Sequence, residues 1–367
     1  MNSLFKIQHP LRSALTSRFL QRTLAYASNE RKAEASPEPS PSFIHPTAVV
    51  HPDAIIGQGV SVGPFCTVGS SATIGNGCKL YPSSHIFGDT KLGERCVLMT
   101  GAVVGDDLPG STVIGCNNVI GHHAVVGVKC QDLKYKPGDE CFLNIGDNND
   151  IREHASIHRS SKPADKTVIG DDNLIMGSSH IAHDCKIGNN NIFANNTLLA
   201  GHVIVGDYTH TAGAIVVHQF CHIGSFSFIG GGSVVSQDVP MYVMVSGERA
   251  ELRGLNLEGL RRRGFSVAEI RSLRTAYRKI FVSVDSDSLS FEECLAKVYV
   301  GWCSLFVALL LKVVVEYATL DDGAVPDGIY SVVEIPLYAF DLAFCHWLMS
   351  CEHVLHLRLL QCSSYQI

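Results

Sequence analysis

The 367-residue chain carries 29 Lys and Arg against 35 Asp and Glu, a net charge of −6 with His neutral. That balance excludes a bulk electrostatic grip on nucleic acid. With 46% hydrophobic and 17% charged residues and 33 glycines, the composition is that of a globular protein with an extensive core, in one long or two ordinary domains.

The first 29 residues contain Lys6, Arg12, Arg18 and Arg22, several Ser and Thr, and no acidic residue until Glu30. This is the composition of an organellar transit peptide; arginines interrupt every candidate apolar stretch, which argues against a secretory signal. Mitochondrial targeting is expected, with the chloroplast as the minor alternative. A Pro/Ser-rich linker follows and closes the segment 1–42. The 13 cysteines are scattered and form no C-x-x-C pair, so they are read as small buried hydrophobes of a reduced compartment.

From Ile44 an aliphatic residue returns every six positions: Val50, Ile56, Val62, Val68, Ile74, Leu80, Ile86, Leu92, Leu98 and Val104. The step resumes at Ile114 and again at Ile145, then runs from Ile169 to Val235 with Thr211 as the one polar member. A period of six is foreign to an α-helix but matches a parallel β-helix with three flat faces, each contributing one inward residue per 18-residue coil. Many of these residues are followed by Gly, as at Gly57, Gly63, Gly188 and Gly206, which suits a sharp corner where a Cβ would clash. The segment 43–240 is therefore expected to be all-β, and the insertions 127–142 and 158–167 to be loops that build a binding face.

Beyond Val235 the period stops. Ser266 and Glu269 form a capping box, Phe265 and Ile270 a hydrophobic staple, and Ile270, Leu273, Tyr277, Ile280 and Phe281 recur at helical spacing. A helix over about 267–283 is predicted inside a helical domain spanning 241–298. Residues 299–367 read as an apolar, divergent tail. Its longest uncharged run, Val298 to Leu311, is shorter than the roughly 20 residues of a membrane span, so no membrane span is expected.

The 18-residue coil identifies distant neighbours. His183, Gly201 and Gln219 are predicted to stack on one corner of three successive turns, with His202 and His218 beside them. All lie off the inward column of Ile181, Leu199 and Val217, so they are expected to face outward or occupy the corner. Clustered histidines there suit metal ligation or acid–base work, and an isolated surface histidine is otherwise unremarkable. His183 with Asp184 could be a base and its orienting carboxylate, and Gly201 offers an N–H that no side chain shields.

The stretches IHPTAVVHPDAIIG, CQDLKY (130–135), IREHASIHR (151–159), HIAHDC (180–185), ANNTLLAGH (194–202), VHQFCHIG (217–224), GGGSVVSQDVP (230–240) and NLEGLRRRGF (256–265) resemble the UDP-N-acetylglucosamine acyltransferases of lipid A biosynthesis over about residues 43–298. The resemblance implies a left-handed parallel β-helix with a C-terminal α-helical domain. It also implies a homotrimer with sites between subunits, and transfer of an (R)-3-hydroxyacyl group from acyl carrier protein to the glucosamine 3-hydroxyl, with no metal or other cofactor. It assigns the base to His183, its carboxylate to Asp184 and the oxyanion donor to Gly201. Asp132, Lys134, His180, His202, His218 and Gln219 fall on the substrate cleft. Asn256, Glu258, Arg262 and Arg263 fall on the nucleotide and phosphate contacts, and Gly231 on the acyl-length position, where a glycine implies a chain of intermediate or greater length. The alternative is a protein like the gamma-class carbonic anhydrases, with His180, His183 and His202 as metal ligands.

Overall fold

The computed structural model describes residues 41–281. The expected transit segment, the tail 299–367 and the end of the expected helical domain therefore lie outside the described residues. The chain divides into two compact units between Gly264 and Phe265.

In the first unit, two-residue strands return every six residues. Phe43–Ile44, Val49–Val50 and Ile55–Ile56 open three faces, and every third strand pairs in parallel, giving sheets of 12, 10 and 9 strands. The result is a parallel β-solenoid of hexapeptide repeats. Registers such as Ile56 opposite Ile74, and Ile181 opposite Leu199 opposite Val217, follow the 18-residue coil. The two insertions are absorbed where Val126 pairs with Ile157 and Ile157 with Ile181.

Each short strand survives because its inward side chain joins a continuous column. Val62, Ile86, Leu98, Ile120, Ile157, Leu199 and Val217 are all fully buried, and each contributes about 1.5–3 kcal/mol of transfer free energy. Thr211 is tolerated in the column because its Oγ1 lies 2.7 Å from Thr197 Oγ1 and accepts the Ala194 N–H. At one edge a second column, Asn118, Asn149, Asn173 and Asn191, accepts the backbone N–H of the next coil through each Oδ1 at 2.7–3.0 Å. Buried amides are thereby satisfied without leaving the coil.

The glycines that follow the column residues meet the expected Cβ clash, and most of them, Gly105 and Gly127 excepted, do not carry the left-handed φ of the corner. Gly75 has an ordinary φ, and a Cβ there would lie 2.6 Å from Gly93 C of the next coil; the constraint is close backbone approach. The left-handed residue comes three positions after the column residue and is usually not Gly: Arg95 (φ 54), Asp184 (φ 62), His202 (φ 60) and Phe220 (φ 65). Such a φ is unfavourable for an L-residue by about 1–2 kcal/mol. It is held by a bond to the preceding coil, as in His202 N–H to His183 O (3.0 Å) and Phe220 N–H to Gly201 O (3.2 Å).

The stretch 241–298, expected to be helical, opens instead with a strand pair. Val243–Ser246 extends the first face in parallel, and Glu251–Leu255 returns against it antiparallel. Helix α1 (Leu257–Arg262) follows, with Asn256 Oδ1 accepting the Gly259 N–H and Asn256 Nδ2 donating to Phe226 O at 2.9 Å. Tyr208, Phe226 and Tyr242 stack at 4.9 and 5.6 Å, and the Arg263 guanidinium sits 4.6 Å over Tyr208.

The second unit contains α2 (Val267–Phe281), which starts where expected; positions 282 and 283 of the expected helix lie outside the described residues. The capping box is formed: Ser266 N–H donates to Glu269 Oε2 (2.7 Å) and Glu269 N–H to Ser266 Oγ (3.2 Å). No helix among the described residues is long and apolar enough to cross a membrane.

Candidate active site

The corner between the second and third faces gathers most of the expected residues. Strand His180–Ile181 runs into the corner bearing His183 and Asp184, Leu198–Leu199 into Gly201 and His202, and Val216–Val217 into Gln219. The first insertion lies over this corner, rooted by buried Cys130, Tyr135 and Cys141. It brings Asp132 and Lys134 to a cleft of about 620 Å³ that the three corners also line.

His183 occupies the corner, yet its side chain does not face open solvent: it is 6% exposed, because Asp132 of the insertion reaches to 4.0 Å from its Nε2. His183 Nδ1 lies 2.7 Å from Asp184 Oδ2. Asp184 is itself 4% exposed and accepts from Ser161 twice, through Oγ (2.6 Å) and N–H (3.1 Å), while its own N–H donates to Thr167 Oγ1 (2.9 Å). Burial pushes the Asp184 carboxyl up, but the hydrogen bonds from His183 and Ser161 outweigh it and leave the group below the usual carboxylate range. An anionic Asp184 fixes the proton of His183 on Nδ1 and leaves Nε2 as the acceptor on the cleft side.

Gly201 stands against the imidazole. A Cβ there would lie 2.4 Å from His183 Cε1 and 2.6 Å from Nε2. Its N–H has no acceptor among the described residues. His202 meets His183 edge-on at 5.2 Å and stacks on Phe220 at 4.7 Å, with Nε2 3.5 Å from Asp184 Oδ2; burial lowers its pKa against the pull of Asp184.

Two contributors escaped the sequence reading. His158 lines the cleft, 4.7 Å edge-on to His180, and burial followed by the neighbouring His180 and His183 pushes it down to about 4. The insertion before Ile169 breaks the 18-residue count; the register of Ile157 with Ile181, which seats His158 beside Ala182, was the signal that could have found it. Ser161 lies inside that insertion, where no periodicity marks it.

Other expected residues stand apart from the cleft of this chain. His218 is exposed next to Gln219 and does not line the cleft. Glu258, Arg262 and Arg263 cluster at α1, where Glu258 Oε1 accepts from Arg262 Nε at 2.9 Å; the two arginines lower the His210 pKa, second to burial. Asn256 is engaged as the helix cap. Gly231 lies at the opposite corner of the second face, where a Cβ would be 3.4 Å from Gly213 O. For the metal alternative, the described residues hold one group at ligand spacing, His183, Asp184 and His202. His180 is not part of it, its Nδ1 lying 3.1 Å from Ser156 Oγ.

A hexapeptide solenoid with a carboxylate-oriented imidazole beneath a loop-covered corner defines the class: a hexapeptide-repeat acyltransferase. Comparison with known proteins agrees. The family model for bacterial transferase hexapeptides matches residues 166–201, and the one described as UDP-N-acetylglucosamine O-acyltransferase, domain 2, matches 238–314, reaching past the boundary at 298 where the divergent tail was expected. The chain is 72% identical over 297 residues, 81% of its length and 88% of the relative's, to an Arabidopsis thaliana protein described as a probable mitochondrial acyl-(acyl-carrier-protein)–UDP-N-acetylglucosamine O-acyltransferase. It is 50% identical over 173 residues, 47% of its length and 67% of the relative's, to the enzyme of Stutzerimonas stutzeri. Among solved structures, the Arabidopsis UDP-N-acetylglucosamine acyltransferase has a TM-score of 0.69 at 80% identity, covering 70% of this chain and 88% of that one. The Francisella novicida enzyme has a TM-score of 0.59 at 35% identity, covering 70% and 84%. The chain belongs to the family of acyl carrier protein-dependent UDP-N-acetylglucosamine O-acyltransferases.

Proposed function

We propose that His183 is the general base in the reaction of this family, transfer of an (R)-3-hydroxyacyl group from acyl carrier protein to the 3-hydroxyl of UDP-N-acetylglucosamine, the first step of lipid A biosynthesis. The observation that carries the reading is the 2.7 Å contact between His183 Nδ1 and buried Asp184, which leaves Nε2 as a proton acceptor on the cleft. The sugar hydroxyl attacks the thioester carbonyl as its proton passes to Nε2. The tetrahedral oxyanion is held by the Gly201 N–H, which has no acceptor among the described residues. Collapse breaks the C–S bond, and the departing thiolate of the carrier takes the proton back from the imidazolium. Lys134, Asp132, His180, His202 and Gln219 border the same cleft and are assigned to the substrate.

A homotrimer supplies what one chain lacks. Asn256, Glu258, Arg262 and Arg263 are absent from the cleft of their own chain and would bind nucleotide and phosphates in the site of a neighbour, with His218 on the same seam. Leu198 (40% exposed), Val216 (37%) and Phe220 (66%) leave an apolar strip along that seam, the kind of surface an interface covers. Gly231 leaves space near Ala212 and Gly213, in keeping with an acyl chain of intermediate or greater length. Mitochondrial residence is proposed from the basic, acid-free first 29 residues and the mitochondrial designation of the Arabidopsis relative.

The test is incubation of the full chain with UDP-N-acetylglucosamine and a panel of 3-hydroxyacyl carrier proteins, following the acylated nucleotide sugar by mass spectrometry, with the assembly sized by sedimentation. The wild type forms product as a trimer, and His183→Ala lowers kcat by on the order of 10²–10⁴-fold. Undiminished turnover by His183→Ala removes it as the base, and full activity in a monomer removes the shared site.

A further inference from the structure

Asp184 is oriented by a residue that no repeat position provides. Ser161 sits in the 158–167 insertion, is fully buried, and gives Asp184 two hydrogen bonds, Oγ to Oδ2 at 2.6 Å and N–H to Oδ1 at 3.1 Å. The segment carrying it is pinned from below. Arg159, also fully buried, donates Nε to Thr112 Oγ1 (2.9 Å), Nη1 to Leu108 O (3.2 Å) and Nη2 to Asp106 O (3.3 Å). Next to it, Ser160 Oγ accepts the Phe142 N–H at 2.9 Å, which ties the second insertion to the end of the first.

We infer that Ser161 is a positioning residue for the acyl transfer: it holds the Asp184 carboxylate as an anion in the one orientation that directs His183 Nε2 into the cleft. This rests on the proposed role of His183. A carboxylate whose Oδ2 already accepts at 2.6 Å from one side has its remaining lone pair aimed at His183 Nδ1, so the imidazole cannot swing without breaking a charge-assisted bond. Insertion 158–167 thereby supplies the carboxylate's support: with the hydroxyl removed, only the Ser161 N–H would hold it from that side. The Ser161 donors also moderate the negative charge felt by His183, which in addition faces Asp132, His158, His180 and His202.

The experiment compares Ser161→Ala, Ser161→Thr and His183→Ala in the full chain, measuring kcat, KM for UDP-N-acetylglucosamine, the pH profile of kcat and thermal unfolding. Ser161→Ala is expected to lose on the order of ten- to a hundredfold in kcat with KM unchanged. Its acidic limb should move to higher pH, because the Asp184 carboxyl loses the Ser161 hydroxyl bond that helps hold it below the usual carboxylate range. Ser161→Thr, which keeps the hydroxyl, is expected to recover most of the rate and the original limb. Wild-type kcat and pH profile in Ser161→Ala overturn the inference, as does a Thr variant that folds yet is as slow as the Ala variant. Should Ser161→Ala fail to fold, Ser161→Cys, whose thiol is a weak donor, must turn over more slowly than Ser161→Thr while keeping measurable activity; a fully active Cys variant with an unmoved limb also overturns the inference. Activity retained by His183→Ala would instead sink the general-base reading, so the two failures are separable.

Discussion

Replacing Gly201 by Ala tests whether the corner above His183 must stay bare. A Cβ at that position lies 2.4 Å from Cε1, 2.6 Å from Nε2 and 3.0 Å from Nδ1 of the imidazole. Carbon atoms pack at about 3.5–4.0 Å, so one partner must withdraw by about 1 Å. The backbone at Gly201 is tied in place, since its carbonyl accepts from Phe220 N–H and the next residue donates to His183 O. The imidazole therefore moves, and a shift of that size carries its 2.7 Å bond to Asp184 beyond the about 3.2 Å limit of a good hydrogen bond. A misplacement of about 1 Å in a catalytic group lowers the rate by about 10²-fold, while overpacking destabilises the fold by about 1–3 kcal/mol. Gly201 is not among the left-handed glycines, so alanine adds no backbone strain. Steady-state kinetics alongside thermal unfolding separate the two effects: kcat should fall by about two orders of magnitude in protein that still melts cooperatively. An Ala variant with wild-type kcat would refute the reasoning, because the imidazole would then have no need of the space that a bare glycine leaves it.

Two further outcomes follow from the same geometry. His158 is buried with its pKa pushed down to about 4 from 6.5, so the unfolded chain binds more protons between those values and stability falls as pH drops from about 6.5 towards 4. Denaturant unfolding at a series of pH values should show that slope flattened in His158→Gln, and an unaltered slope counts against the burial of a neutral imidazole. At Gly75 a Cβ would meet the backbone of Gly93 at 2.6 Å, so Gly75→Ala should destabilise by about 1–3 kcal/mol in thermal or denaturant melts. An equally stable variant would show that the coils can separate to admit a methyl group.

How far this protein can be read without coordinates depends on how locally each property is encoded. The six-residue period requires only that every third hexad stack, so the column from Ile44 to Val235, the sheets, and the alignment of His183, Gly201 and Gln219 followed by counting. The capping box at Ser266 and Glu269 is as local, and it too was legible. Three features were not. The clash that keeps the glycines after the column residues bare is legible, but the left-handed φ falls on residues such as Asp184 and His202, where it is held by bonds from the neighbouring coil. Val243–Ser246 pairs with Phe228–Ile229 across a break in the period, a contact that composition does not encode. Above all, the two insertions have no repeat to index them. Only the tertiary structure brings Asp132 to within 4.0 Å of His183, seats His158 against His180 and sets Ser161 behind Asp184. Periodicity places residues that lie on the coil; side chains arriving from loops are placed by packing and by the hydrogen bonds that buried polar groups must find.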